Sequence, residues 1–333
     1  MVFKPLDIYD SQLSRIGMVD AFLSSTWAEN YSDKASCQLV TVETMAYASI
    51  LSVGNFVGQA GKDTLWQIKS LQRKNDQLWA NGFPVSYTLL NDRIREGKYD
   101  QNGAVYESLR ALVSGTRPAP IIGLYTQRTG MSATNTSTFN NQTLFKIVKD
   151  LCEDAEYGFR FVFDRVARKL LFDVYEGKTT EMKFSEQYGN IENVELTVAQ
   201  TNWYTTAYVG GEGNEDERTF VWAGDTECSG LDRHELFVNA SDLKKESGES
   251  DSAYRARLRK RGVQELNEKN EPLEVEFDTN NEDFGVSFGL GDLVTVLIPG
   301  LGFRFRVRVT GYKETMEKNR IKRTITTGKP IVA

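Results

Sequence analysis

The sequence predicts a mainly β protein with α+β character: two small β-barrel-like domains plus an α/β unit made of one helix and a hairpin. Short runs rich in Val, Phe, Tyr, Trp and Thr, separated by Gly, Asn and Asp, dominate both ends and are typical of strands and turns. Three segments have apolar residues at helical spacing, so helices are the minority. The 333 residues allow two or three domains, and we expect them at 1–115, 116–190 and 191–333.

The first domain is expected to be a sheet followed by one helix. Its helix is predicted from Val105, Leu109, Leu112 and Val113, which recur at helical spacing before Gly115. Alternating or β-branched runs predict six strands, at Ile16–Val19, Phe22–Trp27, Ser36–Val42, Phe56–Val57, Leu65–Leu71 and Val85–Leu90.

The middle unit is expected to begin with an irregular connection, because Ile122–Asn140 is rich in Gly, Thr, Ser and Asn. Asn141 is a predicted N-cap for the clearest helix in the chain, which ends near Gly158. Its apolar positions are Leu144, Ile147, Val148, Leu151 and Ala155. Phe159, Phe161 and Phe163, followed by Leu170–Tyr175, predict a hairpin with an aromatic face.

The last domain is predicted to combine strands with one long helix. The helix spans about Ala253–Asn267, with Tyr254, Leu258, Gly262 and Leu266 on one side. The predicted strands are Val194–Val198, Tyr204–Val209, Thr219–Trp222, Leu273–Asp278, Leu293–Ile298, Phe303–Val309 and Ile321–Thr327.

Charge alternates with apolar residues in two of these strands. Arg304, Arg306 and Arg308 share one face of the first, and the carboxylates of Glu274, Glu276 and Asp278 share one face of the second. We expect the two rows to lie side by side as a ladder of cross-strand pairs. The alternative is that the arginines face an acidic patch on a neighbouring subunit.

Composition excludes several classes of function. The formal net charge of -6 argues against a surface built mainly for nucleic acid. No apolar run is long enough to cross a bilayer, and Met1–Leu13 lacks the pattern of a signal peptide, so no membrane-spanning segment is expected.

No residue pattern indicates a catalytic, cofactor-binding or metal site, and we predict none of the three. Cys37, Cys152 and Cys228 are widely spaced and His234 is the one histidine, which argues against zinc. Cys152 falls on or beside the apolar stripe of a helix, which favours a core thiol over a nucleophile served by His234. His234 is expected in a loop or at a strand edge.

Two glycine-rich segments and one basic run also favour structural roles. Gly285–Asp292 precedes a strand, whereas a phosphate loop precedes a helix. Gly210–Glu217 carries four carboxylates without the spacing of a calcium loop. The five cations of Tyr254–Arg261 are scattered around a helix, although a nucleic-acid interface would cluster them.

A series of short motifs runs along nearly the whole chain in a recognisable order. The motifs are Ile8–Asp10, Arg15–Asp20, Ser25–Trp27 with Tyr31, Leu89–Ile94, Phe172–Gly177, Ala207–Gly213, Gly230–Glu235 and Leu290–Val296. In order and spacing the series resembles the tail-hub proteins of long-tailed bacteriophages, whose longer members are called tail-associated lysins.

This resemblance implies a structural role in the virion tail, after assembly in the host cytoplasm. It implies a homotrimer that joins the sixfold ring of the distal tail protein to a threefold tip or fibre. A central channel for the tape measure protein and DNA is implied too, with DNA passing without specific binding. The sequence ends with Thr326–Ala333, at the end of the last predicted strand, so we expect no lysin extension and no enzymatic activity.

Three other interpretations stay open at this point. A carbohydrate-binding or carbohydrate-degrading β-module of a tail tip would account for the aromatic residues. A nucleic-acid-binding oligomer would account for the arginine-rich segments, and binding with a steep salt dependence would favour it. A contractile injection particle or bacteriocin would use the same hub as a phage.

Overall fold

Two compact units make up the protein. The computed structural model describes residues 4–115, 121–197, 203–213, 218–270, 274–279, 284–317 and 320–328. The first unit combines Met1–Glu195 with Val275–Ala333, and the second is Leu196–Glu274. The division into 1–115, 116–190 and 191–333 stays a prediction about folding domains.

The first unit holds both ends of the chain. Its elements before the second unit are β1 (Leu6–Tyr9), β2 (Arg15–Val19), β3 (Ser24–Asn30), β4 (Cys37–Val42), α1 (Met45–Ile50), β5 (Phe56–Gln59), β6 (Leu65–Lys74), β7 (Gln77–Pro84), α2 (Val85–Asn91), β8 (Ile94–Ala104), α3 (Val105–Gly115), β9 (Ile122–Leu124), β10 (Thr134–Thr143), α4 (Leu144–Ala155), β11 (Tyr157–Asp164), β12 (Lys169–Glu176), β13 (Thr179–Ser185) and β14 (Ile191–Thr197).

The second unit is a three-stranded sheet and one helix, after which the chain returns to the first unit. The elements of the second unit are β15 (Thr206–Gly210), β16 (Phe220–Gly224), β17 (Glu235–Asn239) and α5 (Asp251–Lys269). The returning strands are β18 (Glu274–Thr279), β19 (Leu293–Ile298), β20 (Phe303–Glu317) and β21 (Arg320–Thr327).

Strands from both ends of the chain form one sheet of 13 strands. Its main order is β14-β18-β21-β20-β3-β4-β7-β6-β5-β1-β2, and β19 with β13 branches from β20. The branch arises because β20 changes partners along its length: Phe303–Arg308 pairs with β19, whereas Val309–Glu317 pairs with β21. The mainly β, α+β class is confirmed. The barrel-like domains are not found as closed barrels in the described part of the chain.

Helix α4 and the hairpin β11–β12 form the predicted α/β pair. The helix buries Leu144, Ile147, Val148 and Leu151 in a core shared with the hairpin phenylalanines. Phe161 faces Phe172 across the hairpin. The N-cap is Thr143, whose hydroxyl accepts a hydrogen bond from the Lys146 amide, so the predicted cap at Asn141 is wrong.

Two segments differ from their predicted structure. Val85–Leu90 is predicted as a strand but forms α2, which buries Val85, Thr88 and Leu90. Packing against α4 and β11 outweighs the strand preference of its residues. Ile122–Asn140 was expected to be irregular and contains β9 and most of β10. Strand β10 pairs with β8 in a separate two-stranded ribbon. Much of β10 is exposed, so it lacks the apolar alternation that marks a half-buried strand.

In the second unit, α5 packs on one face of the sheet in the order β16-β15-β17. Tyr254, Leu258, Gly262 and Leu266 are buried, as the sequence predicts. A Cβ at Gly262 would lie 2.6 Å from Val209 Cγ2, so glycine permits the close approach of helix and sheet.

Candidate assembly surfaces

The arginine row is an exposed cationic surface of the first unit, formed by Arg304 and Arg306 on β20 with Lys183 on β13. Arg304 and Arg306 lie opposite Leu297 and Thr295 of β19. Lys183 reaches the same region because it pairs with Thr295 from the other side. All three side chains are exposed, whereas Val307 and Val309 point into the core, so the predicted alternation along β20 is confirmed.

The predicted charge ladder between β20 and β18 is wrong. Strand β18 pairs with β21, so Glu276 lies opposite Thr326 and Asp278 lies opposite Thr324. The arginine part of β20 pairs with β19 instead. Sequence alternation correctly gives the exposed face of β20, but on β18 Glu276 is exposed whereas Asp278 is buried. It does not reveal the neighbours of either strand.

The cation nearest to the predicted acidic row comes from β21. Lys322 Nζ lies 2.8 Å from Asp278 Oδ2, and Asp278 also accepts hydrogen bonds from Thr324 and Asn193. Burial raises the pKa of Asp278, but the hydrogen bonds from Lys322, Asn193 and Thr324 outweigh that effect, so its pKa lies below the usual range. The side chain of Glu274 lies outside the described residues.

The acidic edge is the surface at the β14 end of the large sheet. We define it by Glu192 and Glu195 on β14 and Glu276 on β18, whose side chains are all exposed. Glu192 and Glu276 are close enough to Lys322 to help raise the pKa of its ammonium group, after the larger effect of Asp278. The strand order places β14 at the end of the sheet.

Arg308 belongs to the same strand as the arginine row, but its guanidinium already binds groups of the same subunit. Its guanidinium donates to the Gly291 carbonyl at 2.8 Å and to the Glu156 carboxylate. The ring of Tyr31 lies beneath the same guanidinium. Arg304 and Arg306, in contrast, have no ion-pair partner among the residues described by the structure.

The second unit carries an aromatic ladder on the sheet face opposite α5, formed by Phe220, Tyr208 and Trp222. The rings of Tyr208 and Phe220 are stacked at 4.9 Å, and those of Tyr208 and Trp222 are 4.6 Å apart. Arg218 lies over Phe220 and Arg233 lies over Trp222. Ring faces in the ladder are therefore already used by neighbouring rings and guanidinium groups.

Arg128 and Arg160 line a cleft of about 300 Å³ in the first unit and bind the buried carboxylate of Asp173. Arg128 binds Asp173 through two hydrogen bonds, of 2.7 and 2.8 Å. Arg160 donates a third hydrogen bond to Asp173, whose side chain is 1% exposed. Both carboxylate oxygens of Asp173 are bound by guanidinium groups of the same subunit, so this geometry favours a structural role.

The cysteine and histidine of the rejected catalytic pair lie in different units. Cys152 is fully buried on α4, and burial raises the pKa of its thiol well above the usual value. His234 is exposed beside the start of β17, where its amide donates to the Thr205 hydroxyl. The predictions of a core cysteine and a strand-edge histidine are confirmed.

The remaining candidate segments have local structural explanations. Gly285–Asp292 forms turns before β19, in which the Asp292 carboxylate accepts the Gly289 amide hydrogen. In α5, Arg257 contacts Glu249 and Glu246, and Arg261 contacts Glu265.

Asn214–Glu217 of the predicted acidic loop, Val198 and Leu273 lie outside the described residues. Within the described ranges, no cluster of His, Cys, Asp and Glu is arranged to hold a metal ion. None of the described helices has both the length and the apolar content to cross a membrane.

A comparison with known protein families identifies the family of the chain. Residues 103–329 match the family described as Siphovirus ReqiPepy6 Gp37-like protein. The chain belongs to this family. A search of curated proteins gave no match.

Solved structures of tail proteins share the fold of this chain. The tail protein from Neisseria meningitidis MC58 is 12% identical with a TM-score of 0.63, covering 98% of this chain and 96% of that one. The 43 kDa tail protein of prophage MuSo2 from Shewanella oneidensis is 10% identical with a TM-score of 0.65, covering 98% of both chains.

A third structure extends this likeness. Prophage tail protein gp18 from Listeria monocytogenes EGD-e is 13% identical with a TM-score of 0.57, covering 97% of this chain and 94% of that one. At these low identities, the structural similarity establishes a common fold. The predicted relationship to phage tail proteins is confirmed by family and fold together.

Proposed function

We propose that this chain is a homotrimeric tail hub, which joins the sixfold distal tail ring to a threefold tail tip. The observation that carries the proposal is the fold shared over nearly the whole chain with phage tail proteins, in a member of a siphovirus family. The partners are the distal tail protein, the tape measure protein and the tip or fibre proteins. The hub lies in the virion tail after assembly in the host cytoplasm and takes part in host cell entry.

The architecture of the large sheet supports a role in symmetry adaptation. Its strands come from two stretches of sequence, β1–β7 near the start and β13, β14 and β18–β21 later in the chain. Each subunit therefore offers two β-rich regions, and three copies offer six. In the proposed hub the two regions serve as equivalent contacts, so that three chains meet a sixfold ring while keeping threefold symmetry towards the tip.

The proposed channel carries DNA without holding it. A net charge of -6 suits this role, because cations that bind phosphates along a channel would slow the exit of DNA. The channel also contains the tape measure protein before ejection.

Averaged images of the native particle test the trimer. We expect three copies of the chain around the tail axis, directly below the distal tail ring. Six identical copies at this level would exclude the homotrimer, and a position away from the axis would exclude the channel.

We also propose that the chain has no enzymatic activity. In the first unit, the buried carboxylate of Asp173 lies between two arginines, and the thiol of Cys152 is buried in the core. Purified protein should not clear peptidoglycan above the buffer control. Clearing that one carboxylate substitution abolishes would show this proposal to be wrong.

Carbohydrate binding is the second candidate function, and the exposed aromatic residues of the second unit favour it. Trp222 is 37% exposed and Phe237 is 59% exposed. The ladder argues against a sugar platform, because stacking on a sugar uses ring faces that Tyr208 and Arg233 already contact. A change in tryptophan fluorescence on adding soluble cell-wall sugars, lost in Trp222→Ala, would favour carbohydrate binding over the hub.

A further inference from the structure

The arginine row is a cationic surface without an internal counterpart. Arg304 and Arg306 are exposed, and no carboxylate of the described residues forms an ion pair with either of them. Glu181 precedes Lys183 on β13, but it lies where the pairing with β19 shifts register, between Thr179 and Lys183. Guanidinium groups in a row on a sheet offer planar forks that match carboxylates.

The acidic edge has the opposite character. Glu192, Glu195 and Glu276 are exposed, and Lys322 is the cation that lies among them through its contact with Asp278. Carboxylates therefore outnumber cations at this end of the sheet. Both surfaces belong to the first unit, so every copy of the chain presents one of each.

We propose that the arginine row of one subunit docks on the acidic edge of a second copy of this chain. The inference rests on the proposed homotrimer and names the surfaces through which its subunits meet. Charge complementarity selects the partner, since the row would repel a second arginine row and the edge would repel a second acidic edge.

The same charge pattern sets the type of assembly. Contact between two different surfaces is heterologous, so each subunit uses its arginine row towards one neighbour and its acidic edge towards the other. A heterologous contact forms a ring when the rotation between subunits closes. A symmetric dimer through either surface alone would place like charges together and is disfavoured.

Charge reversal tests the contact through the concentration dependence of assembly in sedimentation. Arg304→Glu with Arg306→Glu should weaken association about 10- to 100-fold, and Glu192→Lys with Glu195→Lys should do the same. A chain carrying all four changes should recover most of the lost affinity, because the complementary charges are exchanged. Unaltered association of both double variants, or no recovery in the fourfold variant, would overturn the proposal.

Two controls separate assembly from folding and general charge effects. All variants should keep the melting temperature of the wild-type monomer, since the changed side chains are exposed. Arg259→Glu changes an exposed arginine of α5 in the second unit and should leave association unchanged. Equal weakening by Arg259→Glu would show an effect of net charge and would contradict a specific contact.

Cross-linking in assembled particles tests the same contact when the free protein is monomeric. Arg306→Cys and Glu195→Cys are introduced together in a Cys228→Ser chain, because the other two cysteines are buried. A short bis-maleimide should link neighbouring chains and give products up to the trimer. Trimeric particles in images without these links would overturn the contact and leave the hub intact.

Two further outcomes separate the contact from the homotrimer and from DNA binding. Links in a particle with six copies at this level would refute the homotrimer and support the contact between the two surfaces. Salt-dependent binding of duplex DNA that disappears in Arg304→Glu with Arg306→Glu would assign the arginine row to DNA, and would overturn the proposal.

Discussion

Two sets of arginines in the first unit show opposite uses of the same side chain. Arg128 and Arg160 converge on Asp173 beneath a cleft, where three hydrogen bonds hold the carboxylate. Arg304 and Arg306 stand on an exposed sheet face with no carboxylate partner in the described chain. Arginine content alone therefore does not mark a binding surface. The first set stabilises the fold, and the second is left for contact with another chain.

The largest effect on stability is expected from breaking the buried set. Asp173→Ala leaves two partly buried guanidinium groups without their shared carboxylate, and we expect it to lower the free energy of unfolding by about 2 to 4 kcal/mol. Denaturant unfolding of purified protein measures this change. The value lies below that for a fully buried pair, because the side chains of Arg128 and Arg160 remain about one-third exposed.

An exposed ion pair of the same unit serves as the matched control. Lys69 contacts Asp92 at 2.7 Å, and the Asp92 side chain is 49% exposed. Asp92→Ala should change the unfolding midpoint little. If both substitutions destabilise the protein equally, the contrast between buried and exposed ion pairs has no energetic basis.

An intermediate effect is expected for Arg257 in the second unit. Its guanidinium lies 2.9 Å from Glu249, and both side chains are mostly buried. Arg257→Ala should lower the free energy of unfolding by about 0.5 to 1 kcal/mol. A double-mutant cycle with Glu249→Ala measures the coupling, and purely additive changes would show that the two charges do not interact.

The smallest effect on stability is expected from the arginine row itself. Arg304→Ala with Arg306→Ala should leave the free energy of unfolding of the monomer within about 0.5 kcal/mol of wild type. Both side chains are exposed and lack ion-pair partners among the described residues. Destabilisation by more than 1.5 kcal/mol would place the row among the internal contacts of the subunit and would remove its contrast with Asp173.

Elements with strong local patterns could be predicted from the sequence. Helix α4 has a wide apolar stripe, and α5 buries the four residues expected from their spacing. The alternation along β20 correctly gives the exposed and buried faces of that strand. In each case the spacing of residues within one helix or strand is enough to predict which side chains are buried.

Features that depend on distant pairing could not be predicted. Strand β20 pairs with β3 near the start of the chain. No local sequence pattern predicts that strands from both ends of the chain form one sheet. Asp173 lies 45 residues from Arg128, so their contact leaves no spacing signal. Glu276 is likewise kept away from the arginines because β18 pairs with β21, whereas the arginine part of β20 pairs with β19.

Copy number in the purified particle tests the central claim most directly. Quantitative mass spectrometry with labelled standard peptides gives the ratio of this chain to the distal tail protein. A homotrimeric hub below a sixfold ring predicts one copy of this chain for every two copies of the distal tail protein. Equal numbers of the two proteins would contradict the account.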